Sequence, residues 1–427
     1  MSSPAESLSA SRVESSGYGT IDRFLRRRLL QRLGQLSGGT VTIHDALGHQ
    51  RLGGSSGPDP VHVNLRVHAP GFYRAAASNG SVGAGESYMA GEWDCDDLVG
   101  LVRLLVRNRE LLDGFEGGLA KFGGMVMKAW HALRRNTRLG SRENIAAHYD
   151  LGNDLFRLFL DENLMYSSAI FADPSDTLEI ASRRKLDRIC QKLELKPSDH
   201  VVEIGTGWGG MALHAARDYG CRVTTTTISR EQHALASERV AAAGLGDRVT
   251  VLLQDYRDLT GHYDKLVSIE MIEAIGPQYL DTYFGKCTSL LKPDGLALIQ
   301  AITIEDHRYQ QALRSVDFIQ RHIFPGSFIP SVTAMTRSAA LAGELRLLNL
   351  EDIGPSYALT LNHWRRRFFA KLDQVRALGY DERFVRMWEF YLCYCEGGFI
   401  ERSISDVHLL FGRSGNRRDQ YLPGMAA

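Results

Sequence analysis

The sequence predicts an α/β fold built on a doubly wound, mostly parallel sheet, preceded by a small α+β domain. From about residue 178 onward, short apolar runs alternate with segments of helical periodicity, as they do in proteins with parallel sheets. The first of these apolar runs leads directly into a loop with glycine at positions 205, 207 and 210, the G-x-G-x-x-G spacing. Residues 40–105 instead mix short strand-like runs with glycine-rich turns, which indicates a separate small domain.

The elements follow from the apolar periodicity in chain order. In the N-terminal part, residues 41–43 and 61–65 are predicted to be strands. In the α/β part, residues 178–195 have helical periodicity, and Lys196-Pro197 begins a turn. The remaining predicted strands are 201–204, 221–228, 249–253, 265–269 and 296–304, and the remaining predicted helices are 210–218 and 229–243.

Composition limits the function. Lys and Arg number 50 and Asp and Glu number 50, so the formal net charge is zero, which argues against a protein that binds nucleic acid. No apolar run is long enough to span a bilayer, and no signal-peptide core precedes the first charges. The six cysteines have neither disulfide-framework nor zinc-site spacing, so we expect a reduced, cytoplasmic protein without a metal.

Two segments are both basic and apolar. Residues 21–33 have helical periodicity, with apolar positions Ile21, Phe24, Leu25, Leu29 and Leu33 and arginines at 23, 26, 27, 28 and 32. Residues 117–142 carry six basic residues and no acid, together with Trp130. Such segments can lie on an anionic membrane surface, or they can be ordinary helices with a solvated basic face. The predicted organisation is a disordered tail (1–20), an α+β domain (21–116), a basic linker (117–142) and a catalytic domain (143–427).

The glycine loop suits either a dinucleotide or S-adenosylmethionine. A dinucleotide site usually has an acid at the end of the second strand, where it holds the ribose. Here that strand ends in Thr227-Ile228-Ser229, and the acid lies in the first strand, at Glu203. After the third strand, Asp255 and Tyr256 could contact an adenine. These positions favour S-adenosylmethionine over a dinucleotide.

Several ordered motifs together resemble those of the cyclopropane-fatty-acyl-phospholipid synthase family. The motifs extend over nearly the whole chain after residue 20. They are HYDLGNDLF (148–156), MYSSAIF (165–171), EIGTGWGG (203–210), TISREQ (227–232), QDYRDL (254–259), EMIEAIG (270–276), IFPG (323–326), IPS (329–331) and, nearer the N-terminus, GESYMAGEW (85–93).

The resemblance implies a class I S-adenosylmethionine-dependent methyltransferase fold with a lipid-carrier-like N-terminal domain. It also implies an enzyme acting on unsaturated acyl chains of membrane phospholipids, located peripherally on the inner face of the membrane, and possibly a homodimer. By motif, the cofactor-binding residues would be Tyr166, Ser167, Gly205, Gly207, Thr227, Ile228, Gln232 and Tyr256. The family's bicarbonate site would map to Ser168 (through its backbone), Glu273, Gln300, Ile302 and Tyr357.

The chemistry requires a dry site that aligns an alkene with the methyl donor and stabilises the resulting carbocation. Aromatic faces can stabilise such a cation, although aromatic residues at such positions are more often plain core. The candidates for contact with the acyl chain are Tyr149, Tyr166, Phe171, Phe318 and Trp364. A base must then remove a proton, and bicarbonate oriented by Glu273 and by Tyr357, in a predicted loop, could serve.

Two positions differ from the family's cyclopropane synthases, which often have His where this chain has Ala274 and Gln300. Glutamine can donate a hydrogen bond but cannot carry a proton. The motifs EMIEA and QAIT are most similar to those of the branch that makes 10-methylene or 10-methyl, tuberculostearic-type, chains. The product could therefore be a cyclopropane or a methylene-branched chain.

Two other functions compete with lipid methylation. An enzyme of the same fold could methylate a small amine, but it would have little use for the N-terminal domain or the basic segments. A non-catalytic lipid-binding protein would not need an intact glycine loop and Glu273. The sequence therefore favours a lipid C-methyltransferase.

Overall fold

The computed structural model describes residues 17–113, 152–342 and 344–419. The chain divides into two compact units, residues 1–123 and residues 124–427. The predicted tail, apart from its last residues, and the whole predicted basic linker lie outside the described residues. The proposed domain boundaries therefore stay predictions.

The first unit has a four-stranded sheet with the strand order β2-β1-β3-β4. Strands β1 and β2 form an antiparallel hairpin, β1 and β3 run parallel, and β3 and β4 run antiparallel. The predicted strands at 41–43 and 61–65 are confirmed. The elements are α1 (Thr20–Leu33), β1 (Gly39–Asp45), β2 (Gly48–Gly54), β3 (Val61–Val67), α2 (Gly71–Met89), β4 (Trp93–Cys95), α3 (Leu98–Arg107) and α4 (Arg109–Asp113).

Helix α1 is confirmed within the basic segment 21–33, but only part of its apolar stripe is buried. Leu30 and Leu33 face the core, whereas Ile21 and Phe24 are 70% and 61% exposed. Arg26 contacts Asp45, with Nε 2.5 Å from Oδ2, so its charge is neutralised within the unit. The exposed surface of α1 therefore combines two apolar side chains with Arg23, Arg27 and Arg28.

The second unit is built on a seven-stranded sheet with flanking helices. Its elements before the acidic motif are α5 (Asn153–Phe159), α6 (Leu178–Lys192), β5 (His200–Ile204), α7 (Gly210–Asp218), β6 (Arg222–Thr227), α8 (Arg230–Ala242), β7 (Val249–Leu253) and β8 (Tyr263–Ile269). The later elements are α9 (Leu280–Leu290), β9 (Leu291–Ile304), α10 (Asp306–Ala312), α11 (Phe318–His322), α12 (Val332–Leu341), β10 (Arg346–Asp352), α13 (Gly354–Ala370), α14 (Leu372–Ala377), α15 (Glu382–Ile400) and β11 (Ile404–Gly412).

The strand order of this sheet is β7-β6-β5-β8-β9-β11-β10. Strands β5 to β9 are parallel, which confirms the predicted doubly wound fold, and β11 and β10 add an antiparallel edge. The order reverses at β5, between β6 and β8. In open sheets of this kind ligands bind at that switch point, at the carboxyl ends of the strands.

Local sequence explains where the helices begin. Thr177, Ser229, Ser331 and Asp381 each accept a hydrogen bond from a backbone amide in the first turn of the following helix. Neighbouring strand residues point to opposite faces of the sheet, so Val201 and Val202 pack in two different apolar clusters. Helices therefore cover both faces, and the polar ends of the strands are left for a site.

Among the described residues, no helix combines the length and apolar character needed to cross a membrane.

Candidate active site

The glycine loop after β5 has the backbone conformation that its glycines permit. Gly205 and Gly207 have φ values of +99° and +51°, a region that favours glycine. A Cβ on Gly205 would lie 3.1 Å from the Met271 side chain, whereas one on Gly207 would meet nothing within 4 Å. The loop therefore leaves open space beside Gly207, and it contacts the segment that follows β8.

The end of β6 supplies the next cofactor candidates. The Thr227 hydroxyl donates to Gln232 Oε1 at 2.8 Å, and both residues are buried, while Ile228 between them is half-buried. After β7, the Asp255 carboxylate accepts hydrogen bonds from Arg257, so it is already paired within its own turn. Tyr256 packs against the Tyr283 ring, with 5.7 Å between ring centroids.

The MYSSAIF motif brings two further cofactor candidates together with a buried lysine. Lys185 Nζ, on α6, donates to Ser167 Oγ at 2.8 Å. Tyr166 shares a 2.9 Å hydrogen bond with the Tyr391 hydroxyl, and its ring packs 5.2 Å from that of Trp364. Burial lowers the pKa of Lys185 to about 8, although nearby carboxylates, first among them Glu270, oppose that shift.

The centre of the site is the carboxylate of Glu270, immediately after β8. Its Oε1 accepts hydrogen bonds from the Ser168 backbone amide and from Gln300 Nε2, each at 2.8 Å. Its Oε2 accepts from the Tyr357 hydroxyl at 2.7 Å. Three of the residues expected to surround a bicarbonate thus meet, but they meet around Glu270. Tyr357 lies in helix α13, so its assignment to a loop is wrong.

A second layer fixes the Gln300 side chain. Gln300 Nε2 also donates to Asp406 Oδ2 at 2.8 Å, and His408 Nε2 lies 3.2 Å from Gln300 Oε1. Because that oxygen can only accept, His408 must be the donor, which directs the amide nitrogen at the two carboxyl groups. Strands β9 and β11 place all three residues in adjacent, fully buried positions.

Glu273 lies beside this cluster, in a short 3-10 turn. Its Oε1 accepts from the Ile302 backbone amide at 2.6 Å, so two residues predicted for the bicarbonate site contact each other directly. Its Oε2 is buried and has no hydrogen-bond partner among the described residues. Burial, reinforced by the charge of Glu270, raises the pKa of Glu273 to about 8.

The remaining aromatic candidates lie in different surroundings. The Phe318 ring is fully buried against Phe390, with 4.5 Å between centroids. Phe171 is half-buried and stacks on His363 at 5.3 Å, while Trp364 is buried behind Tyr166. Tyr149 lies outside the described residues.

Four residues of this site have no role that the sequence motifs predict: Glu270, Lys185, Asp406 and His408. Glu270 was within reach of such an analysis, because it is an acid directly after a strand, at the edge where these sheets bind ligands. The other three can be recognised only in the folded chain: all three are buried, and Asp406 Oδ1 and His408 Nδ1 have no hydrogen-bond partner among the described residues.

A sheet of this order, with a glycine-rich loop after its first strand, defines a class I S-adenosylmethionine-dependent methyltransferase fold. The family model described as mycolic acid cyclopropane synthetase matches residues 136–409, and the chain belongs to that family.

Named relatives agree with this assignment. The chain is 41% identical over 350 residues to tuberculostearic acid methyltransferase UfaA1 of Mycobacterium tuberculosis, covering 80% of this chain and 81% of the relative. It is 38% identical over 353 residues to a cyclopropane-fatty-acyl-phospholipid synthase of Escherichia coli, covering 82% and 88%. A solved structure of mycolic acid cyclopropane synthase CmaA1, complexed with SAH and CTAB, is 30% identical with a TM-score of 0.60. That match covers 64% of this chain and 98% of the solved one.

Proposed function

We propose that this protein transfers the methyl group of S-adenosylmethionine to the cis double bond of unsaturated acyl chains in membrane phospholipids, and then removes a proton. The observation that carries this proposal is the position of the acidic cluster against the glycine loop. Gly205 of the loop approaches the side chain of Met271, which lies between Glu270 and Glu273 in the sequence. A methyl donor on the loop would face a group able to accept a proton.

The open space beside Gly207 fits the methyl donor. We propose that it is held by Tyr166, Ser167, Gly205, Gly207, Thr227, Ile228, Gln232 and Tyr256. When bound, it supplies an electrophilic methyl on a sulfonium. The chain's own contribution is to position the alkene, exclude water and hold the proton acceptor. Phe171, Phe318 and Tyr149 stay predicted contacts of the acyl chain.

The resemblance implies bicarbonate as the proton acceptor, but bicarbonate does not fit this site because its expected hydrogen-bond donors already bind side chains of the protein. The Ser168 amide, the Gln300 amide and the Tyr357 hydroxyl are all engaged by Glu270. Ile302 is engaged by Glu273. A further anion on the same donors would have to displace one carboxylate and lie beside the other. The proposed reaction therefore takes its base from the chain.

Two products are compatible with this site, a cyclopropane and a methylene-branched chain. Both need the same methyl transfer and the loss of one proton. Gln300 and Ala274, which replace the histidines frequent in cyclopropane synthases, favour the branched product. The similarity to a tuberculostearic acid methyltransferase supports the same choice.

We also propose that the enzyme is cytoplasmic and visits the inner face of the membrane. The exposed Ile21 and Phe24 lie on the same helix as the exposed Arg23, Arg27 and Arg28. Apolar side chains among cations suit the head-group region of an anionic bilayer. The lipid-carrier-like role of the N-terminal unit and a homodimer remain predictions.

Expression in a bacterium that makes unsaturated phospholipids tests the reaction. Mass spectrometry of the fatty acids should show monounsaturated chains that have gained the mass of one methylene group. Gly205→Val, whose side chain would meet Met271, is the inactive control. If the native chain leaves every acyl mass unchanged while it binds S-adenosylhomocysteine, lipid methylation is wrong. Proton NMR of the product then separates a ring from a methylene.

A further inference from the structure

We propose that Glu270 is the catalytic base of this enzyme, a carboxylate of the chain that occupies the place expected for bicarbonate. The proposal rests on the proposed function, because it concerns the proton that must leave after methyl transfer. Its first support is that Glu270 gathers three donors: the Ser168 amide, Gln300 Nε2 and the Tyr357 hydroxyl.

The hydrogen bonds leave one oxygen able to take a proton. Oε1 accepts from two donors, whereas Oε2 accepts a hydrogen bond from Tyr357, and Asp406 also interacts with the Glu270 carboxylate. A carboxylate oxygen can accept two hydrogen bonds, so Oε2 keeps a free lone pair. Glu270 is also only half-buried, unlike the fully buried Gln300 and Asp406 behind it. It is the part of the cluster that a substrate could reach.

The backbone at Glu270 adds an independent observation. Its φ is +45°, in the left-handed region that glutamate rarely adopts. Residues held in such conformations are strained and are concentrated at functional sites. A glycine would adopt this φ without strain. The chain instead keeps a side chain there that reaches the three donors.

The neighbouring charges favour an ionised Glu270. Burial, and then the charge of Glu270, raise the pKa of Asp406 well above its usual range, so Asp406 is the member of the pair that holds a proton. Burial also raises the pKa of Glu270, but the Ser168 amide, the Tyr357 hydroxyl and the positive charge of Lys185 oppose that shift. A carboxylate whose pKa is raised from its ordinary value suits proton abstraction near neutral pH.

The proposed step balances in atoms and electrons. The alkene π pair forms the new bond to the methyl carbon, the carbon–sulfur pair stays on sulfur, and the neighbouring chain carbon becomes a cation. A proton of the new methyl then passes to Glu270 Oε2, and its C–H pair closes a cyclopropane. If a hydride first moves from the methylated carbon to the cation, the same proton loss leaves its pair in an exocyclic double bond. The carboxyl returns its proton to water when the site reopens.

Substitution of Glu270 tests the proposal on the purified full chain. Glu270→Gln keeps the shape of the side chain but removes the base, so formation of methylated chains should fall by at least about 100-fold. The affinity for S-adenosylhomocysteine, measured by calorimetry, should not change. Glu305→Gln, an exposed carboxylate outside the site, should leave both properties unaltered. If Glu270→Gln keeps most of the native rate, Glu270 is not the base.

A second variant separates a catalytic from a merely structural carboxylate. Glu270→Gly suits the local φ and frees the three donors, so the variant should fold, bind 13C-bicarbonate by NMR, and regain part of its turnover when bicarbonate or formate is added. The native enzyme should bind no bicarbonate and should keep its full rate in carbonate-free buffer. A native rate that falls in carbonate-free buffer and returns with bicarbonate would overturn the proposal. Failure of the proposed function looks different, because the native chain would then methylate no lipid under any condition.

Discussion

Glu203 shows how much a single residue in this site depends on burial. It lies in β5 directly before the glycine loop and is 2% exposed. Among the described residues, its carboxyl group accepts one hydrogen bond, from the Thr225 hydroxyl, 2.6 Å from Oε2. Burial raises the pKa of Glu203 to about 8, although Thr225 and the charge of Lys185 oppose the shift. In the free enzyme, the folded state therefore keeps a proton that the unfolded chain would lose.

This proton makes stability depend on pH. The pKa of Glu203 is about 8 in the folded state, against a reference value of 4.5. Its contribution to the stability of the folded state is therefore fully present below pH 4.5 and is lost as the pH rises from 4.5 to about 8. One such proton changes the free energy of unfolding by up to about 1.4 kcal/mol per pH unit. Glu203→Gln should therefore gain stability relative to the native protein between about pH 5 and about pH 8. Urea unfolding at both pH values measures the difference, and parallel curves would contradict the assigned shift.

The site also shows which residue roles could be predicted from sequence. The motif EMIEA places two acids three positions apart, and spacing alone favours neither as the group that meets Ser168 and Tyr357. The choice depends on the positive φ of Glu270, which directs its carboxylate to those donors and leaves Glu273 on the Ile302 amide. Because φ is not readable from the motif, the sequence alone predicts a bound anion oriented by Glu273 and does not indicate that the carboxylate of Glu270 reaches the same donors.

At the scale of elements, the parallel strands were predictable and the antiparallel edge was not. Strands β5 to β9 are short runs rich in apolar or β-branched residues, so their pattern identifies them. Strand β11 is equally buried, but Asp406 and His408 interrupt its apolar run. These polar residues are tolerated there because they hold Gln300 from behind. A central strand that carries functional polar residues is therefore difficult to predict from its hydrophobicity pattern.

Helix α1 gives a prediction for an element. Ile21 and Phe24 are exposed beside three exposed arginines. Replacing both with Ser should weaken binding to anionic vesicles by at least about tenfold, since fully burying each side chain is worth about 1.5–3 kcal/mol. Binding of the native chain should also weaken at high salt. Vesicle sedimentation measures both effects. Leu341→Ser, which removes an exposed leucine from the second unit, is the matched control. Equal loss in both variants would mean that α1 is not the contact surface.

At the scale of the whole molecule, we expect the second unit to carry out the methyl transfer and the first unit to contact the lipid surface. Every side chain placed in the candidate site belongs to residues 124–427. The family model covers residues 136–409. The match to the solved structure of cyclopropane synthase CmaA1 covers 98% of that protein but 64% of this chain. A chain with little beyond the second unit can therefore form this fold.

This division predicts the behaviour of a fragment containing residues 124–427. The fragment keeps Lys185, Glu270 and the glycine loop, so its affinity for S-adenosylhomocysteine should equal that of the full chain. It lacks α1, so its initial rate on phospholipid vesicles should fall by about tenfold, because the acyl chains are no longer held at high effective concentration. On the same lipids dispersed in detergent, where no bilayer surface has to be reached, the two rates should converge. A fragment that matches the full chain on vesicles would show that the N-terminal unit does not deliver the substrate.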